Sequence, residues 1–119
     1  MAKIEQFEDL TVWREGLQLA IEVYKSLATC EDYGLRSQMQ RSSVSISSNI
    51  AEGFERNSNK EFIRFLRIAK GSSGELRTQL YLAIHVGILD EETGGALIEK
   101  SRHISRMLQS LIKTRLEKF

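Results

Sequence analysis

The sequence predicts an all-α protein: an antiparallel, up-down-up-down four-helix bundle forming a single domain over residues 1–119. Three observations predict it. Apolar residues recur at helical steps of three and four in four separate stretches, and no alternating strand pattern competes. The 119 residues contain no proline, where average usage would give about six; proline breaks helix interiors and is common in loops. The joins between the stretches are short, which sets consecutive helices side by side and antiparallel.

In the first stretch Leu10, Trp13, Leu17, Ala20, Tyr24 and Leu27 form one stripe, widened by Ile21 and Ala28. Asp9 is its expected N-cap, and Gly16 inside it costs roughly 1 kcal/mol of helix propensity. The segment CEDYG breaks the pattern. The second stretch carries Leu35, Met39, Ser43, Ile46, Ile50 and Gly53 in near-heptad spacing, with Val44, Ala51 and Phe54 on neighbouring faces. It runs through RSSVSISSNIAEG (41–53), so this serine-rich run keeps a helical period that a flexible linker would lack.

Ser58 and Glu61 then form an S-x-x-E start signal. The third stretch follows, with Phe62, Phe65, Leu66, Ala69, Ser73, Leu76, Leu80 and Ala83, and Gly87 is a natural C′ residue. Asp90, with Thr93 as a rival cap, starts the fourth, whose stripe is Leu97, Ser101, Ile104, Leu108 and Leu111, joined by Met107, Ile112 and Leu116. Glu91 and Glu92 at its start and Lys113, Arg115 and Lys118 at its end complement the helix dipole.

Small residues let helix backbones approach. Ser42, Ser43, Ser45, Ser47, Ser48, Ala51 and Gly53 make one such surface, and Ala69, Gly71, Ser72, Ser73 and Gly74 another, which predicts a tight crossing of the second and third helices. Buried serine hydroxyls can bond the carbonyl three or four residues back. Arg41, Asn49, Glu52 and Arg56 frame the run. Arg41, Asn49 and Glu52 read as a structural polar cluster that, if buried, fixes helix register or subunit geometry.

The net charge of +1 conceals segregation. Residues 1–35 hold three basic and seven acidic residues, and 36–80 hold eight and four. Residues 81–99 hold none and four, and 100–119 hold six and one. A basic surface can therefore exist on a near-neutral chain. Lys60, Arg64 and Arg67 share one face of the third helix, with Arg56 just before it. Lys100, Arg102, Arg106 and Lys113 lie on the fourth. These eight are the candidate nucleic-acid contacts. Such outward faces can merge in a bundle and contact phosphates in a salt-sensitive, largely sequence-independent way. The plainer use of the same residues is a solvated helix back.

Catalytic patterns are missing from the sequence. No G-x-S-x-G elbow accompanies the serines. His85 and His103 are the two histidines, and Glu99 to His103 is i,i+4 rather than the Glu-x-x-His of di-iron bundles. Cys30 with the histidines gives no zinc spacing. The expectation is a protein that is not an enzyme and carries no cofactor or metal. The lone Cys30 cannot form an internal disulfide, which fits a reducing cytoplasm. MAKIEQFEDL has no apolar leader core, and no run approaches the ~20 apolar residues of a membrane span. A soluble cytoplasmic protein without membrane contact is expected.

The run Tyr33-Gly34-Leu35, Gln38, Arg41 and S-I-S-S-N-I-A-E-G (45–53) resembles the four-helix bundle family named after proteins encoded in 23S rRNA intervening sequences. Arg56 and Ser58, Phe62, Phe65-Leu66, Ile68-Ala69-Lys70-Gly71-Ser72, Glu75-Leu76 and Thr78-Gln79-Leu80 continue the likeness. Phe7, Leu10 and Val12-Trp13 match its opening. The family often has proline where Ser47 or Ser48 stands, and alanine near Ser42 or Ser43. The resemblance implies a left-handed bundle and a ring-like homo-oligomer, a pentamer. It also suggests nucleic acid as a partner, because a related accessory protein of diversity-generating retroelements contacts it. The alternative is an oligomeric scaffold for a protein partner, using apolar residues beyond the core stripe: Ile63, Ile68, Tyr81, Ile84, Ile88, Met107, Ile112 and Phe119.

Overall fold

The computed structural model describes residues 3–119; of the domain expected over 1–119, residues 1 and 2 lie outside the described residues. A 3-10 turn, Phe7–Asp9, precedes four helices: α1 (Thr11–Ser26), α2 (Tyr33–Glu55), α3 (Asn59–His85) and α4 (Glu91–Lys118). No strand occurs among the described residues, and the helices lie along one axis of a 45 × 22 × 20 Å body.

Cross-helix contacts show the antiparallel register. Gly53 of α2 meets Phe65 of α3, whereas Ser45 meets Ser72 and Ser42 meets Gln79, so one chain number rises as the other falls. The same holds from α3 to α4, where Asn59 meets Arg115, Lys70 meets Gln109 and Arg77 meets Ser101. α1 closes the bundle against both α2 and α4.

The helix ends follow from local chemistry. Asp32, Ser58 and Asp90 are N-caps whose side chains accept from the amides of Leu35, Glu61 and Thr93. Asp90 therefore prevails over Thr93. α2 stops where Asn57 takes φ 53, a left-handed conformation that asparagine tolerates better than most residues. α3 ends in a Schellman turn: Ile88 N donates to Ala83 O at 2.9 Å and Gly87 N to Ile84 O at 3.1 Å, with Gly87 at φ 81.

Every residue of the expected α3 stripe is buried, as are Met39, Ser43, Ile46, Ile50 and Gly53 of α2 and Leu97, Ser101, Ile104 and Leu108 of α4. α1 differs from expectation. It buries Val12, Gly16, Leu19, Ala20 and Val23. Leu19 and Val23 are 0% exposed, while Leu17, Ile21 and Tyr24 of the predicted stripe are 40%, 38% and 47% exposed. The helix is rotated from the expected face because Gly16 gives α2 room: a Cβ there would lie 3.2 Å from Ile46 Cγ2. Asp9 is also reassigned. Leu10 is the N-cap of α1, and Asp9 closes the 3-10 turn by accepting from Glu5 N and Gln6 N at 3.0 and 3.1 Å.

The tight α2–α3 crossing is present with a different cast. A Cβ on Gly53 would lie 2.5 Å from Phe65 Cβ. Gly71 and Gly74, expected in that crossing, have no neighbour within 4 Å of a Cβ and lie outside it. Ser73 faces α4, donating to Ser101 O at 2.9 Å.

Candidate nucleic-acid interface

The eight candidate cations divide by what surrounds them. At the start of α3 three of them gather around one carboxylate. Glu61 Oε2 accepts from Arg64 Nε at 2.9 Å, and Glu61 Oε1 lies 3.7 Å from Arg56 Nη1. The Arg64 hydrogen bond leads in holding the Glu61 carboxyl below its ordinary value, with Arg56 and Lys60 adding their fields. Arg64 is raised in turn by the bond to Glu61. Arg56 also pairs with Glu52 at 3.3 Å. The guanidinium carbons of Arg56 and Arg64 lie 5.1 and 4.6 Å from the centre of the Phe65 ring, within cation–π range. Phe65 is thus buried and also seats two arginines against its ring.

Lys60, Arg64 and Arg67, with Glu61 and the exposed Ile68, border one shallow depression on α3. Neither Lys60 nor Arg67 has an ion-pair partner among the described residues. Arg56, Lys60, Arg64 and Arg67 therefore share two ion-pairing carboxylates, Glu52 and Glu61, among the described residues and keep an excess of positive charge.

The α4 cations do not join them in one stripe. Lys100 turns to α1, its Nζ 2.8 Å from Glu22 Oε2, an ion pair by distance without hydrogen-bond alignment. Arg102 turns to α3 and is held by Glu99 and the Tyr81 hydroxyl. Arg106 borders a depression with Asp9 and His103 on the α1 side. Lys113 is exposed, without an ion-pair partner among the described residues. The link between the two faces is one that sequence reasoning passed over: Lys70 Nζ donates to Gln109 Oε1 at 2.7 Å.

Arg41, Asn49 and Glu52 do not come together. Arg41 and Glu52 are eleven residues apart on α2, about 16 Å along its axis. Asn49 is half-buried, and its Nδ2 donates to Ser45 O and Oγ at 2.7 and 2.8 Å. Glu52 is exposed and paired with Arg56. Arg41 is exposed and borders a polar groove of about 440 Å³ with Gln38, Ser42, Ser45, Glu75 and Gln79. The polar cluster that does form lies across α3 and α4: Arg77 donates to Ser101 Oγ at 2.9 Å and Ser105 Oγ at 2.6 Å, and Ser105 Oγ donates to Ser73 Oγ at 2.9 Å. Its sequence signal is a pair of polar i,i+4 positions, 73/77 and 101/105, at the edges of two apolar stripes.

Four serine hydroxyls of α2 are occupied structurally. Ser42 donates to Gln79 Oε1 at 2.7 Å, Ser43 to Gln40 O at 2.9 Å and Ser47 to Val44 O at 3.4 Å. Ser45 and Ser72 share a bond of 2.9 Å. Among the described residues no group of three or more His, Cys, Asp or Glu side chains is placed to hold a metal ion, and no helix is long and apolar enough to cross a membrane.

No curated protein matches the chain. A solved structure from Bacteroides thetaiotaomicron, described as a protein of unknown function from the S23 ribosomal protein family, is similar at 30% identity and a TM-score of 0.82. The match covers 87% of this chain and 100% of that one. The family model of the 23S rRNA-intervening sequence protein matches residues 8–110. Sequence model and helical architecture agree, and the chain belongs to the 23S rRNA-intervening sequence protein family.

Proposed function

We propose that this chain is a non-enzymatic, self-associating helical-bundle protein that binds RNA or DNA through phosphate contacts, principally from the start of α3. The observation that carries the reading is the patch of Arg56, Lys60, Arg64 and Arg67. Two of its arginines are seated on Phe65, and two of its cations have no ion-pair partner among the described residues. Arg106 and Lys113 offer further cations on α4, outside that patch, whereas Lys100 and Arg102 are partly neutralised by Glu22 and Glu99. Contacts of this kind weaken steeply with salt.

The test is a titration of labelled structured RNA and duplex DNA at two salt concentrations. Salt-sensitive binding is expected, and reversing Arg64, Arg67 and Arg106 to glutamate abolishes it while the helical circular dichroism stays native. Failure of both nucleic acids to bind at low salt overturns the reading.

A separate observation favours a scaffold for a protein partner. α1 turns Leu17, Ile21 and Tyr24 outward, and α2 leaves Val44 exposed. Of the apolar residues expected to lie beyond the core, Ile68, Tyr81 and Phe119 are exposed as well, while Ile63 and Ile112 belong to the core. Sedimentation equilibrium at micromolar concentration tests the self-association shared by both readings; a strict monomer overturns it.

A further inference from the structure

At the end of the bundle where α2 turns into α3 lies a cavity of about 550 Å³. None of the eight candidate cations lines it. Its size falls within the range of about 300–1,000 Å³ typical of small-molecule sites. Leu10, Phe54, Phe62, Leu111 and Phe119 supply apolar walls, and Arg115 is the one cation in the lining.

Arg115 is held firmly. Its Nε donates to Asn59 Oδ1 at 2.7 Å, and Asn59 Nδ2 donates back to the Arg115 carbonyl at 3.0 Å. Its guanidinium carbon lies 5.0 Å from the Phe62 ring centre and 3.8 Å from that of Phe119. The guanidinium has no ion-pair partner among the described residues, and burial pushes its pKa down from the ordinary value. Glu5 also borders the cavity without pairing with it. With Nε occupied, the two terminal nitrogens remain as donors. A guanidinium edge matches a carboxylate in its plane. A phosphate dianion would call for a second cation, which this lining lacks.

We infer that this cavity binds a small monocarboxylic acid with an apolar body, the carboxylate on Arg115 and the body between Phe54, Phe62 and Leu111. The inference is independent of the nucleic-acid reading.

The test is calorimetric titration of the full chain with 2-naphthoate and with its neutral counterpart, 2-naphthamide. Saturable binding of the acid is expected, with the amide at least tenfold weaker. Arg115→Gln should bring the two affinities together, and Arg64→Glu/Arg67→Glu should leave acid binding unchanged. No saturable binding of the acid overturns the inference, as does equal affinity for acid and amide, or a preference that survives Arg115→Gln. Should that variant not fold, amide-shift mapping on the native chain decides. Perturbations centred on Phe54, Phe62 and Leu111 support the site, and perturbations elsewhere overturn it.

Discussion

α3 is flanked by two seams closed by opposite means. Against α2, closure comes from a side chain that is missing: Gly53 admits Phe65, and the hydroxyl pair Ser45 and Ser72 continues the contact. Against α4, closure comes from a side chain that reaches: Arg77 spans to Ser101 and Ser105, and Ser73 and Lys70 bond across beside it. Both seams are rich in small residues, yet in the first they provide clearance and in the second they act as hydrogen-bond acceptors for a long cation. The first should yield abruptly to added volume, the second gradually to lost polarity.

The sharpest way to break this contrast is Gly53→Ala. The new Cβ would sit 2.5 Å from Phe65 Cβ, an atom tied to the α3 backbone rather than a flexible tip, so the helices must part. A loss of about 2–3 kcal/mol is expected in urea unfolding, at the upper part of the overpacking range; a change under a few tenths would show that the seam has slack. Next comes Arg77→Met, which keeps the bulk and removes the bonds to two serines. Charged hydrogen bonds are worth about 1.5–3 kcal/mol, and partial exposure places the expected loss at about 1.5. If stability is unaltered, the reach across α3–α4 is ornamental. Gly71→Ala serves as the control on the same helix outside both seams. Nothing lies within 4 Å of its Cβ, so a gain of about 0.5–1 kcal/mol in the same assay is expected from helix propensity and a less flexible unfolded chain. A loss there would reveal an unrecognised contact.

The smallest effect concerns the α3 start. Glu61 has its pKa lowered from 4.5, chiefly by the Arg64 hydrogen bond. Its contribution is intact above the unfolded value and drains away as pH falls through the lower native one. Thermal midpoints of the native chain and Glu61→Gln should differ slightly at pH 6 and converge towards pH 3; a constant gap would assign the difference to something other than this carboxylate.

Most of the architecture was legible in the sequence because α2, α3 and α4 each carry one dominant apolar stripe. α1 was not, for a physical reason. It is apolar on two adjoining faces, and periodicity alone favours the one with the bulkier residues, Leu17 and Tyr24. The buried face instead adds Val12, Leu19 and Val23 to the stripe's own Ala20, and Gly16 lets α2 come near. Asp9 misled in a similar way, since a capping residue one position early belongs to a 3-10 turn. The basic patch was legible as residue types on a helix face. Its organisation was not, because Glu61 read only as a helix-start residue and Phe65 only as core. Arg41, Asn49 and Glu52 show the converse: proximity in a motif implied company that an α-helix spreads over three turns.

The short reverse turns have a kinetic consequence. Each helix lies beside its neighbour in the chain, joined through residues 27–32, 56–58 and 86–90, and contacts so local favour folding on the microsecond-to-millisecond scale. With no proline in the chain, prolyl isomerisation can add no slow phase. The α1–α4 contact alone must close the longest loop, at the largest entropic cost. We therefore expect the Glu22–Lys100 pair to form after the folding barrier is crossed. Stopped-flow measurements on Lys100→Met should then show faster unfolding and an unchanged refolding rate, and slower refolding would place that closure in the nucleus.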